Sequence, residues 1–162
     1  MSLKYGCITP NAKGRMYPVA ASQYFAHLGG GFVYLDSSGH VVAAITNTAT
    51  LFGYCEAPAG VGAGAAGSAY WKSSATAGAD QLFVITDKNA EFLVPTTVTV
   101  TGAMLGGAWD LIGVNDGTVQ QGDLDTSSTD VIIAVDLGVN ITTDAAVTDA
   151  LVMINEAKRQ AD

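Results

Sequence analysis

Apolar and polar residues alternate along this chain in short bursts, and the period is mostly two. The strings "FVYL" and "VVAAI" stand on either side of Asp36, Ser37, Ser38 and Gly39, and two apolar runs separated by turn-forming residues predict a β-hairpin. A second hairpin is predicted where "QLFVI" and "EFLV" flank Asp87, Lys88 and Asn89, and a third where "AWDLIGV" and "TVQQ" bracket Asn115, Asp116 and Gly117. Between them "TTVTVT" sets Val98 and Val100 against Thr97, Thr99 and Thr101, the alternation of a half-buried strand. "DVIIAVD" is β-branched and apolar between two acids, as expected of a strand covered on both faces. Many short strands joined by tight turns predict an all-β fold, a sandwich or barrel of short antiparallel strands.

The two ends break this rhythm. Pro10, Asn11, Gly14 and Pro18 interrupt any periodicity near the start, while Tyr5, Met16, Tyr17, Tyr24 and Phe25 supply large side chains for contact. Residues 1–30 therefore read as an extended N-terminal arm, with Gly29, Gly30 and Gly31 as a joint to a β domain over residues 31–162. Such an arm packs either on its own domain or on a neighbour. The β domain is either one unit or two β subdomains split near residues 57–80. At the other end Val147, Ala150, Leu151, Ile154 and Lys158 follow helical spacing after a cap at Thr143 or Asp144, which would make a short C-terminal helix. The run "LVMIN" has no polar face before Asn155, which favours a final strand.

Composition narrows the class of partner. The 162 residues suit one domain, and 49% hydrophobic against 14% charged residues, with 19 glycines, argue against disorder. A surface so thinly charged leaves apolar area for self-association or docking. The net charge of −8 is uneven: four basic and three acidic residues precede Leu82, whereas three basic and twelve acidic residues follow from it. An acidic surface repels phosphate, so no nucleic-acid partner is expected. No apolar run approaches the roughly 18 residues that span a bilayer, so no membrane partner is expected either. The opening "MSLKYGCITPNAKGR" has no apolar core of a secretory signal, which predicts synthesis in a cytoplasm. Cys7 and Cys55 form no C-x-x-C motif and are either a pair or two buried thiols, the second favoured in a reducing compartment.

Four constellations invite a chemical reading. Gly62, Gly64 and Gly67 in "GVGAGAAGSAYW" match G-x-G-x-x-G, and Asp87 follows about twenty residues on, where a ribose-binding acid would stand. The lead-in "EAPA" holds Pro58 and little to bury, and "SAYWKSSATAGAD" has no helical stripe, so the strand and helix that give those glycines their chemistry are missing. A Cys or Ser nucleophile would need His27 or His40, and neither stands in a recognisable motif. In "GDLDTSSTD", Asp123, Asp125, Ser127 and Asp130 begin like a calcium loop, but Ser128 and Ala134 occupy the places of the required glycine and acid. A polar loop bonded to its own backbone is the reading preferred there. Trp71 and Trp109 read as core or interface anchors. The expectation is no catalytic residue, no cofactor and no metal, and a surface made to touch other proteins.

The order of features, an arm, then "LFGYCEAPAGVGAGAAG", then "GAWDLIGVNDGTVQQGDLDTSSTDVIIAVDLG", then "ALVMINEAKRQ", resembles the capsid decoration, or cement, proteins of tailed bacteriophages. The likeness lies in layout and texture across most of the chain. It implies a virion structural protein that forms a homotrimer, binds the major capsid protein on the outer capsid surface and reinforces the shell against packaged DNA. It brings no catalytic residues. On this reading Tyr5, Met16, Tyr17, Tyr24 and Phe25 contact a partner, and Gly62, Gly64 and Gly67 allow close backbone approach, unless the Gly/Ala stretch is only a loop. The competing classes are a tail or fibre component and, in third place, a hydrolase with an unusual carboxylate site.

Overall fold

The computed structural model describes residues 5–26, 30–56, 70–137 and 148–161. The described chain is all-β. Its strands are β1 (Gly6–Cys7), β2 (Gly14–Pro18), β3 (Tyr24–Ala26), β4 (Gly31–Leu35), β5 (Val41–Ala43), β6 (Gly53–Cys55) and β7 (Tyr70–Lys72) in the first half. The second half adds β8 (Gln81–Ile85), β9 (Phe92–Pro95), β10 (Ala108–Ile112), β11 (Gln121–Asp123), β12 (Ile132–Leu137) and β13 (Asp149–Ile154).

They form a six-stranded sheet in the order β1-β9-β13-β12-β10-β11, a five-stranded sheet β2-β8-β6-β4-β5 and a ribbon β3-β7. Every ladder is antiparallel. One parallel bridge, Thr96 to Gly122, brings β11 back toward the end of β9 without closing the sheet. Of the two architectures expected, the sandwich is the one built.

The period of two explains how the five-stranded sheet serves two cores. Phe32, Tyr54 and Ile85 are register partners across β4, β6 and β8 and so share one face. They join Phe92, Val94, Ile132, Ala150 and Val152 of the six-stranded sheet in a single buried cluster. The rings of Phe32, Tyr54 and Phe92 lie 4.7 to 5.3 Å apart at its centre. The alternate residues Val33, Cys55, Leu82 and Val84 form the second cluster, with Phe25 and Trp71 of the ribbon. Gly53 is what lets β6 lie against β8, because a Cβ there would meet the Val84 side chain at 2.7 Å.

Side-chain amides tie the layers where ladders stop. Gln23 Oε1 accepts from Ala43 N at 3.0 Å, and Gln160 accepts from Leu35 N and donates to Leu35 O, both at 2.8 Å. Thr46 N donates to Gly113 O at 2.9 Å, which fastens the β10–β11 side of one sheet over the β4–β5 side of the other. At the opposite side Lys13 N donates to the Asp87 carboxylate at 3.2 Å, joining β2 to the turn between β8 and β9.

The first and third predicted hairpins form, as β4–β5 and β10–β11. The second does not: β8 pairs with β2 and β6, and β9 pairs with β1 and β13. Asp87 does cap a turn, accepting from Asn89 N at 3.0 Å, but the turn carries the chain from one sheet to the other. Local turn chemistry is the same in both cases. "TTVTVT" is not a ladder strand after Thr96, whose hydroxyl folds back onto Val98 O at 2.7 Å. Val98 and Val100 still pack against the first core from this irregular segment. β12 alternates in burial and is not covered on both faces.

The tail resolves as strand β13, followed by a single 3-10 turn over Glu156–Lys158. Val147 and the caps at Thr143 and Asp144 lie outside the described residues. Of the two placements open to the leading segment, residues 5–26 take the one on their own domain. β1 pairs with β9, β2 with β8 and β3 with β7, so the arm expected over residues 1–30 is, where described, part of the body. The reason is its side chains: Val19 and Phe25 are 1% and 2% exposed and belong to the second core. β6 pairs directly with β8, so one sheet runs across the proposed split near residues 57–80.

Candidate functional site

The exposed apolar surface is best defined at β2 and β8. In their register Arg15 and Tyr17 stand opposite Val84 and Leu82, while Met16 stands opposite Phe83. The first face is buried through Leu82 and Val84. The second leaves Met16 53% and Phe83 44% exposed, a cross-strand pair of large apolar side chains open to solvent. A pair in register packs mutually on one face, and exposure of both marks a place where further burial is favourable. Pro18, which has no N–H to donate, ends the strand.

The other residues expected to touch a partner are largely used inside the subunit. The Tyr17 ring meets Phe52 edge-on at 5.1 Å, and its hydroxyl accepts from Arg15 Nε at 2.7 Å. Phe25 is buried beside Trp71. Tyr24 is half-buried against Tyr70 at 5.3 Å, with Lys72 Nζ 5.1 Å from its ring. Tyr5 donates its hydroxyl to Asp149 Oδ1 at 3.1 Å, and burial, with that carboxylate, pushes the phenol's pKa up. Of these five, Met16 is the one left exposed. Gly62, Gly64 and Gly67 lie outside the described residues, as does His27. Phe83 was not singled out in the sequence; alternation in "QLFVI" places it opposite to Leu82 and Val84 but does not say which face is covered.

Cations lie along the same strands, with Arg15 on the face opposite to Met16 and Phe83. Lys13 and Arg15 lie on or beside β2 and Lys88 in the turn after β8, all exposed. Lys88 Nζ is 3.6 Å from Glu156, and Arg159 Nε bonds the same carboxylate at 2.6 Å. An open cleft of about 450 Å³ runs between them over Phe52 and Thr86. Its acid is thus already shared by two cations.

The remaining constellations are structural. The loop "GDLDTSSTD" wraps Asp110, whose Oδ1 accepts from the backbone N–H groups of Ser128, Thr129 and Asp130 at 2.7 to 2.9 Å, while Oδ2 accepts from the Ser128 hydroxyl. Burial raises the Asp110 pKa, and these four donors more than reverse it, leaving the carboxyl well below its usual range. Ser127 donates to Asp130 within the loop. Asp123 and Asp125 are neighbours at the β11 end, and the Asp123 carboxylate raises the Asp125 pKa. Among the described residues no three His, Cys, Asp or Glu side chains converge as a metal site would require. His40 Nδ1 stands 3.6 Å from Asp36 in the first hairpin turn, remote in sequence from Cys7 and Cys55. Both cysteines are free thiols. Trp71 is core, and Trp109 packs beside the first core and donates Nε1–H to Met104 O at 2.9 Å. Among the described residues no helix is long and apolar enough to cross a membrane.

Compared with protein-family models, with curated proteins and with solved structures, the chain matches none.

Proposed function

We propose that this chain is a virion structural protein that docks on the outside of a tailed-phage capsid and holds neighbouring subunits of the major capsid protein together. It works by cohesion between proteins, without a catalytic centre, and in several copies. The exposed Met16–Phe83 pair carries this reading, because it offers apolar area on a rigid sheet where a partner can complete the burial. The order of sequence features resembling decoration proteins supplies the identity of that partner. The all-β sandwich suits the role: a body bonded by ladders and two cores transmits load without a moving part.

One element of the expectation changes. With residues 5–26 built into the sheets, attachment falls to the face of the body, and avidity across several copies replaces the grip of a free arm. Co-sedimentation of the purified protein with assembled shells of a tailed-phage major capsid protein from the same source tests the proposal. Saturable binding to assembled shells, and not to unassembled capsid protein, is the expected result; absence of binding refutes it.

A further inference from the structure

The C-terminal turn holds one arginine in a fixed place. Arg159 stands between two residues tied to Leu51: Lys158 O accepts from Leu51 N at 3.0 Å, and Gln160 N donates to Leu51 O at 2.8 Å. The Gln160 amide adds its pair of bonds to Leu35. The guanidinium is clasped as well. Its Nε donates to Glu156 Oε1 at 2.6 Å and its Nη1 to Phe52 O at 3.4 Å, and the side chain is 11% exposed. A guanidinium carries five N–H donors, so Nη2 and one N–H of Nη1 are left over. No buried side-chain nitrogen among the described residues lacks a partner, so Nη2 reaches solvent, and the space that Arg159 lines is the open cleft of about 450 Å³.

Two more donors line that cleft. Lys88 Nζ stands 3.6 Å from Glu156 Oε2 and its side chain is 72% exposed. The Thr86 hydroxyl makes no hydrogen bond within the described residues. Glu156 is the one acid among the described lining residues, against Lys88 and Arg159, so one positive charge is in excess. Asp87 and Lys13 stand beside the cleft and cancel in this sum. The N–H of Asn89, and after it that of Lys13, hold the Asp87 carboxyl below its ordinary pKa, and the charges of Lys13 and Arg159 add to this. Asp80 and Glu56 lie at the other ends of β8 and β6 from Thr86 and Phe52. At a strand's rise per residue that is about 13 Å or more away, beyond the reach of a screened surface charge.

We propose that this cleft binds a carboxylate, delivered as a glutamate or aspartate side chain on an exposed segment of a partner protein. One carboxylate neutralises the one excess cation. The free edge of the Arg159 fork matches the two oxygens of a carboxylate, Lys88 supplies a second cation and Thr86 a neutral donor. Arg159 is fixed before the ligand arrives, so little ordering remains to oppose binding. The cleft is open along Lys88 and does not enclose a small acid as ligand pockets do. A side chain carried on a longer segment gains contacts beyond the rim that a free acid lacks. The inference goes beyond capsid docking and stands without it, because its test uses a peptide and no shells.

The chain has two arginines, Arg15 and Arg159, so their Nε–H signals in a proton–nitrogen NMR spectrum of the full chain are readily told apart. The probe is a terminally blocked pentapeptide with one glutamate among glycines; its glutamine analogue, acetate and inorganic phosphate are the controls. The glutamate peptide is expected to shift the Arg159 signal saturably and to leave Arg15 in place. The glutamine analogue should bind about tenfold more weakly or worse, and Arg159→Gln should weaken the glutamate peptide as much. Lys88→Gln, at an exposed position, should weaken it about threefold or more at low salt. Glu156→Gln keeps an oxygen for Arg159 Nε but removes the competing charge, and should strengthen binding about threefold or more. Should Arg159→Gln lose its fold, the other two variants carry the test. An Arg159 signal that does not move, equal binding of the glutamine analogue, or an affinity indifferent to both Lys88→Gln and Glu156→Gln overturns the inference. Acetate bound as tightly as the peptide would assign the cleft to a free organic acid, and phosphate bound more tightly would assign it to a phosphate; either overturns the proposal.

Discussion

The side-chain amide of Gln120 holds both backbone groups of Phe32: Oε1 accepts from Phe32 N at 2.6 Å, and Nε2 donates to Phe32 O at 3.0 Å. The same Nε2 donates to Ala44 O at 2.8 Å. One buried glutamine thus stands where a strand would, and it fastens the loop before β11 to β4 and to the segment after β5. Removing it takes the side-chain partner from Phe32 N and from Ala44 O, while Phe32 O keeps its bond from Ala44 N at 2.9 Å. Gln120→Leu is expected to destabilise the protein by about 3 kcal/mol, read from chemical denaturation, since each orphaned buried group costs roughly 1 to 3 kcal/mol. Gln160→Ala, whose amide makes the same pair of bonds to Leu35 at a more exposed place, should cost about 1 to 2 kcal/mol.

Asp110 predicts the response to acid. Its folded pKa is held below the unfolded value of about 3.9, so the stability it contributes is fully present above that value and is lost as pH falls toward the folded pKa. Asp110→Asn removes the charge that four donors converge on. It is expected to lower stability at neutral pH by about 2 to 3 kcal/mol and to flatten the pH dependence of the melting temperature below about pH 4. Melting curves from pH 7 down to pH 2 on both proteins check this.

The thiols predict a labelling pattern. Cys55 is fully buried and burial drives its pKa far up, while Cys7 is half-buried with its pKa also raised by burial. Less thiolate means slower reaction. In native protein Cys55 should resist a thiol reagent, Cys7 should react slowly, and both should react promptly in denaturant. Mass spectrometry after timed alkylation reads the order, and rapid native labelling of Cys55 would contradict the burial assigned to it.

Much of the fold is legible in the pattern of residues, and the failures share a cause. β4–β5 and β10–β11 are found because short polar turns and alternating neighbours are local signals. The β8–β9 corner is misread as a hairpin because Asp87 and Asn89 make the same turn whether the next strand pairs back or crosses to another sheet. The leading segment shows no rhythm because Pro10, Asn11, Gly14 and Pro18 break it, and its strands pair with the distant β9, β8 and β7 and not with their neighbours across a short turn. The glutamine ties are invisible in sequence, since Gln23, Gln120 and Gln160 carry nothing to distinguish them from solvated residues. Of the contact surface, Met16 is legible as a large side chain in a segment without rhythm, whereas Phe83 becomes visible only once the layers show which face stays open.

The claim on which the account depends is that an apolar patch on the body attaches this protein to a capsid. Binding of a Met16→Asp, Phe83→Asp variant to assembled shells measures it most directly. Both positions are exposed, so the variant should keep the wild-type circular dichroism and lie within about 1 kcal/mol of its stability. The account predicts that it remains in the supernatant under conditions where the wild type pellets with shells. A folded variant that binds shells as tightly as the wild type would contradict it.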